Sequence, residues 1–208
     1  MSNPLYELFL TCLNIPYEQV GKTANYAAFR RGDTLYIFFQ GSEGINDWKN
    51  NLDFPVKPYR RMGKTVWLAH RGFLRTWKEI EPFLEKFVAD KSVRKTVVAG
   101  YSHGGALAML CHEYVWYHRP DLRESSVGYG FGAPRVFWGL QTAQLKSRWK
   151  TFTVVRNIND LITHLPPSFL GFSHVGRLLK IGAKGKYSPI EAHYAENILA
   201  ELKNSCGK

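Results

Sequence analysis

The chain has 208 residues, 45% hydrophobic and 22% charged, which excludes a disordered polymer and suits a single α/β domain over 1–208 with a sizeable core. No apolar run reaches the length of a membrane span, so a transmembrane segment is not expected. The net charge of +11 favours anionic partners, nucleic acid and anionic lipid head groups both being candidates, but no nucleic-acid-binding motif accompanies it, so no nucleic acid is expected.

The opening stretch, MSNPLYELFLTCLNIPYEQV, lacks the basic start and long apolar centre of a secretory leader, and Glu7 interrupts it. Cytoplasmic synthesis is therefore expected, with release by a leaderless route left open. Asn3-Pro4 should open an amphipathic helix carrying Leu5, Leu8 and Phe9 inward. Cys12, Cys111 and Cys206 are odd in number, widely spaced and match no zinc or redox pattern, so neither a disulfide framework nor a metal or other cofactor is expected.

Strand and helix patterns alternate along the rest of the chain without repeats or linkers. That predicts a mostly parallel central sheet with helices on both faces. Asn25–Arg30 and Leu35–Gln40 read as a hairpin around Arg31-Gly32-Asp33-Thr34, and Val66–Ala69 as a short strand. Phe73–Ala89 reads as a helix with Phe73, Trp77, Ile80, Leu84, Phe87 and Val88 on one face. Thr96–Gly100 is a buried strand, Ala106–His118 a helix closed by Arg119-Pro120, Ser126–Phe131 and Thr151–Asn157 further strands, and Ile190–Asn204 a last helix.

Between the Thr96–Gly100 strand and its following helix lies Gly100-Tyr101-Ser102-His103-Gly104-Gly105. Strand, sharp turn and helix in this order form a nucleophile elbow, which lifts a serine hydroxyl off the strand end. Side chains at Gly100 and Gly104 would collide as the chain folds back. The helix N-terminus beneath Ser102 favours the negative charge of an oxyanion.

A serine hydroxyl is a weak nucleophile. It needs a histidine as base, and the histidine needs an acid to orient it. Chain order in such enzymes is Ser, acid, His. Asp160, in the loop after the Thr151–Asn157 strand, is the best-placed acid, with an Asx-turn cap as its bland alternative, whereas Asp121 follows a helix end at the opposite edge. His112 and His118 lie on the helix that leads away, and His164 is too close to Asp160 for a separate loop to bring it back. His193 and His174 remain as bases. One oxyanion donor comes with the elbow, the His103 N–H. A second should come from a loop after an earlier strand, and Phe38-Phe39-Gln40-Gly41-Ser42 supplies one.

These blocks resemble the class 3 lipases, α/β-hydrolases that include the fungal triacylglycerol lipases. The resemblance runs from about Tyr26 to Leu202. It rests on Phe39-Gln40-Gly41-Ser42 with Asp47-Trp48, His70-Arg71-Gly72-Phe73, the elbow, Phe131-Gly132-Ala133-Pro134-Arg135-Val136, Val155-Arg156-Asn157 with Asp160 and Leu165-Pro166-Pro167, and Phe172-Ser173-His174-Val175-Gly176. It implies an α/β-hydrolase fold, Ser102, Asp160 and His193 as catalytic residues, and Ser42 and His103 as the oxyanion donors. It also implies that His174 is not catalytic, that His70 belongs to a structural block, and that a lid begins at Glu43-Gly44-Ile45-Asn46. Only Ile45, Trp48 and Leu52 would give that lid an apolar inner face.

The reading is a serine carboxylic-ester hydrolase acting on lipid esters, an acylglycerol lipase or phospholipase A1-type enzyme. Its alternatives are a short-chain esterase and a catalytically silent hydrolase fold used for binding. Basic runs (Lys49, Lys57, Arg60, Arg61, Lys64; Arg177, Lys180, Lys184, Lys186) and the acid-free stretch holding Arg135, Lys146, Arg148, Lys150 and Arg156 suit an anionic membrane or micelle surface.

Overall fold

The computed structural model describes residues 3–20, 24–41, 55–61 and 63–205. Asn3 caps α1 (Pro4–Asn14), its Oδ1 accepting the Leu5 N–H at 3.0 Å, while Pro4 occupies the first turn, where its missing N–H costs nothing. The expected hairpin is β2 (Ala24–Arg31) against β3 (Thr34–Phe39), antiparallel, with β1 (Glu18–Val20) added outside β2. From β3 inward the pairing is parallel: β6 (Lys95–Tyr101), then β7 (Ser126–Phe131), β9 (Phe152–Asn157) and, at the far edge, β11 (Arg177–Ile181). Among the described residues the sheet has seven strands and is mostly parallel, the core of an α/β-hydrolase fold.

Strand period divides the sheet's side chains between two cores. Ile37, Phe39, Val98 and Val154 face the long helices α2 (Arg71–Ala89) and α3 (His103–His118). Their neighbours Phe38, Ala99 and Val155 face α1 and α5 (Ala195–Asn204), through Phe9, Ile198 and Leu202. Helices thus cover both faces. A short helix, α4 (Ala143–Arg148), capped by Thr142, precedes β9.

The structure departs from the sequence reading at three places. The Val66–Ala69 strand is longer, β5 (Lys64–His70), and belongs to a separate antiparallel sheet with β4 (Val56–Arg61), β8 (Phe137–Trp138) and β10 (Phe172–Ser173), in the order β10-β8-β5-β4. Such two-residue strands carry no periodicity to read. The last helix begins at Ala195 and not at Ile190: Tyr194 is extended (φ −60°, ψ 138°), and Glu191–His193 forms a separate 3₁₀ turn. The edge strand β11 was not anticipated, because Arg177-Leu178-Leu179-Lys180 is exposed at every position and shows no alternation.

Candidate active site

The strand β6 ends at Tyr101, and Ser102 turns the chain into α3 with φ 54° and ψ −120°, the one positive φ outside glycine among the described residues. Such a conformation is held only because its surroundings over-determine it. The Ser102 N–H donates to the Phe131 carbonyl at 2.8 Å, and the Ser102 carbonyl accepts the Gly105 N–H at 2.9 Å. The two elbow glycines are sterically obligatory. A Cβ on Gly100 would lie 2.1 Å from the Gly104 carbonyl oxygen, and one on Gly104 would lie 2.2 Å from that of Phe39.

Ser102, Asp160 and His193 come together in one buried hydrogen-bonded series. His193 Nε2 lies 2.8 Å from Ser102 Oγ, and His193 Nδ1 lies 2.9 Å from Asp160 Oδ2. The carboxylate fixes the tautomer, because a negative oxygen at Nδ1 calls for the proton there and leaves Nε2 free to accept. Asp160 does two tasks at once. Its Oδ1 accepts the Ile162 N–H at 2.9 Å and the Thr163 N–H at 3.4 Å, opening the 3₁₀ turn Ile162–His164, while Oδ2 serves the imidazole. The bland capping role and the proposed orienting role thus coexist on different oxygens.

His193 reaches the elbow from the short turn Glu191–His193, before the last helix, and α5 carries that turn back against the sheet. Gly132, at φ +57° after β7, passes so close beneath that a Cβ would lie 3.0 Å from the imidazole and 3.2 Å from Asp160. Tyr101 holds the histidine from the other side. Its hydroxyl donates to the His193 carbonyl at 2.7 Å, and its ring stacks on the imidazole at 5.3 Å. Phe9 of α1 packs edge-on against the same ring. Sequence reasoning named neither Tyr101 nor Gly132 as parts of the site. Both were visible in motifs, at the variable position of G-x-S-x-G and the glycine of F-G-x-P, but what they touch depends on His193 returning to the elbow.

His174 lies apart from Ser102. Its Nε2 bonds the Thr163 carbonyl oxygen at 2.7 Å, bracing the loop that carries Asp160, and burial holds its pKa down at about 4. His70 caps α2, Nδ1 accepting the Phe73 N–H at 3.4 Å. His112 bonds Thr151 Oγ1 at 3.0 Å, His118 packs on Tyr114, and Asp121 pairs with Arg119, all away from the elbow. His164 lies 3.4 Å from Arg156 Nη1 and turns outward.

His103, the first residue of α3, presents its backbone N–H at the helix end where an oxyanion would form, and burial pulls its ring down to about 4, so it is neutral. Gly41 runs beside the nucleophile, since a Cβ there would lie 3.6 Å from that of Ser102. Ser42, the expected second oxyanion donor, lies outside the described residues, as do the lid candidates from Glu43 onward and Cys206. Cys12 and Cys111 are free and buried.

The family described as Lipase (class 3) matches residues 36–170, a stretch that holds Ser102 and Asp160 and stops before His193. A lipase of Rhizomucor miehei is 33% identical over 158 residues, covering 72% of this chain and 43% of its own length. A secreted mono- and diacylglycerol lipase of Fusarium solani is 28% identical over 148 residues, covering 67% of this chain and 41% of its own. The chain thus spans less than half the length of these relatives. Among solved structures, a triacylglycerol lipase described as having a serine-protease triad as its catalytic centre superposes with a TM-score of 0.64 at 28% identity, over 80% of this chain and 66% of that one. A fungal lipase–inhibitor complex, described as a model for interfacial activation, gives 0.61 at 28% identity over 78% and 64%.

Proposed function

Since the chain belongs to the class 3 lipase family, we propose that it is a serine hydrolase of lipid carboxylic esters, with acylglycerols as its first substrate class. The observation that carries this reading is the series Ser102 Oγ, His193 Nε2, His193 Nδ1, Asp160 Oδ2, with gaps of 2.8 and 2.9 Å, set on a strained elbow.

In this reading Ser102 Oγ attacks the ester carbonyl carbon while His193 Nε2 takes the hydroxyl proton. The imidazolium is stabilised by the Asp160 carboxylate at Nδ1. The carbonyl oxygen becomes an oxyanion facing the His103 N–H, with Ser42 the proposed second donor. Collapse of the tetrahedral species breaks the bond to the alcohol oxygen, which leaves with the proton from His193. Water then gives its proton to Nε2 and attacks the acyl-serine, and the acid departs as Ser102 regains its proton. Ser102 is buried, only 3% exposed.

The test is a p-nitrophenyl ester series of rising acyl length on the protein and on Ser102→Ala. Turnover lost in the variant, with an optimum at long chains, is the expected result. An optimum at acetate or butyrate would make this a short-chain esterase. No turnover, together with no labelling of Ser102 by a fluorophosphonate, would leave a silent fold used for binding.

A further inference from the structure

Two arginines and a lysine from separate segments meet beside the turn that begins at Asp160. Arg135, in the loop after β7, donates from Nη1 to the His164 carbonyl and to that of Pro166, the latter at 2.9 Å. Arg156, the penultimate residue of β9, faces His164 Nε2 with its own Nη1 at 3.4 Å. His164 thus touches both guanidinium groups, one through its carbonyl and one through its ring. Lys180 joins them across the sheet. It is in register with Arg156 on the parallel strand β11, and residues in register on neighbouring strands project from the same face, about 5 Å apart.

Nothing balances these charges. Among the described residues none of Arg135, Arg156 and Lys180 makes an ion pair. Asp160 is the nearest acid, but its oxygens are committed to His193 and to the Ile162 and Thr163 N–H groups. The uncompensated field is felt by the members themselves. Desolvation first, then Arg156 and Arg135, hold His164 below its ordinary pKa, with Asp160 opposing, and Arg135 is lowered by burial and by Arg156. Arg156 Nε is buried without a hydrogen-bond partner. Arg135 donates to protein acceptors through Nη1 alone among the described residues. Bracing of the loop accounts for that one nitrogen, and for neither Arg156 nor Lys180. One anion would relieve both the orphaned donor and the cation pair.

We propose that Arg135, Arg156 and Lys180 form a binding site for a small phosphate dianion, free or as a soluble phosphomonoester, with His164 at its rim. Guanidinium forks match phosphate oxygens, and the lysine adds a point charge. A tetrahedral dianion presents oxygens in several directions to donors that arrive from three segments, whereas a carboxylate would satisfy one fork and leave a net charge of two. Because both arginines touch His164, the last residue of the turn Ile162–His164, a bound anion fastens that turn to β9 and β11. The site stands on its own charges and geometry, and is independent of the lipid-ester reading.

The test is a thermal melt and a calorimetric titration with sodium phosphate, held at constant ionic strength with sodium chloride so that screening does not change. Phosphate at about 20 mM should raise the Tm by about 3 °C or more and give a saturable heat. Arg156→Gln and Lys180→Gln should each weaken binding at least about fivefold, while Lys146→Gln, an exposed cation elsewhere, should leave it unchanged. Lys180 is exposed on the edge strand, so its exchange carries the test if Arg156→Gln does not fold. No response of the parent overturns the proposal, as does a response that survives both exchanges, which would be a general salt effect. A second arm offers the same group on a lipid, as phosphatidic acid in phosphatidylcholine vesicles with Ser102→Ala as the protein. Retention there that Arg156→Gln removes, with no response to inorganic phosphate, would give the site to a lipid-borne phosphate and overturn the soluble ligand. Phosphate binding by a parent that turns over no ester would overturn the proposed activity and leave this site standing.

Discussion

Gly104→Ala separates two physical effects of opposite sign at the elbow. Gly104 is the second residue of α3, and an exposed helical glycine replaced by alanine should gain about 1 kcal/mol from propensity alone. At this position the new Cβ would lie 2.2 Å from the Phe39 carbonyl oxygen and 2.6 Å from that of Gln40. Ordinary contact begins above 3.4 Å, so the helix start and the end of β3 must separate by roughly 1 Å, and neither carbonyl can rotate away as a side chain would. Overpacking of this kind costs about 3 kcal/mol, which outweighs the propensity gain and leaves a net loss of about 2 kcal/mol. For a chain of this size that is a Tm lowered by about 4–8 °C. The displaced carbonyls directly precede Gly41, which lies beside Ser102, so kcat on p-nitrophenyl butyrate should fall on the order of 100-fold although no catalytic atom is removed. Urea unfolding and initial rates measured on one preparation give both numbers. A variant as stable as the parent, with kcat within threefold, would show that the crowding at the elbow is not what makes this residue glycine.

Ser102→Gly should be more stable than Ser102→Ala by about 1 kcal/mol, because both lose the hydroxyl but only glycine relaxes at φ 54°; equal Tm values would remove the strain argument. His193→Ala should abolish most turnover, whereas His174→Ala should lower stability and leave the rate mostly intact, and the reverse order would reassign the base. Tyr101→Phe keeps the ring on His193 and removes one hydrogen bond, so about 1 kcal/mol of stability and a few-fold in kcat should be lost with KM unchanged; an altered KM alone would count against a positioning role. His103, His112 and His174 are each held neutral by burial, with pKa values near 4 against an ordinary 6.5. The unfolded chain therefore binds more protons as pH falls through 6.5, so stability held above pH 6.5 should drain away down to about pH 4, by up to about 1.4 kcal/mol per pH unit for each histidine. Thermal melts across that range check it, and a flat Tm would mean that these rings are not desolvated as the fold implies.

What the sequence by itself determined was everything that depends on near neighbours. The elbow was legible because apolar strand, glycine-spaced turn and helix follow one another without a break from Thr96 to Leu110. The hairpin, the face of α2 and the cap at Asn3 were legible for the same reason: period and capping act within a turn or two of chain. Asp160 stood out by its place after a strand. Histidines were different, since from the residues alone both His174 and His193 stayed open. The place of His193 just before the last helix favoured it, the resemblance to the family strengthened that choice, and only the tertiary structure put His193 Nε2 2.8 Å from a serine 91 residues earlier. The second sheet, the bracing of His193 by Tyr101 and the passage of Gly132 beneath it were equally closed to the sequence. Each joins segments tens of residues apart, and such contacts leave no local period, because the entropy lost in closing those loops is recovered only when the whole sheet is assembled.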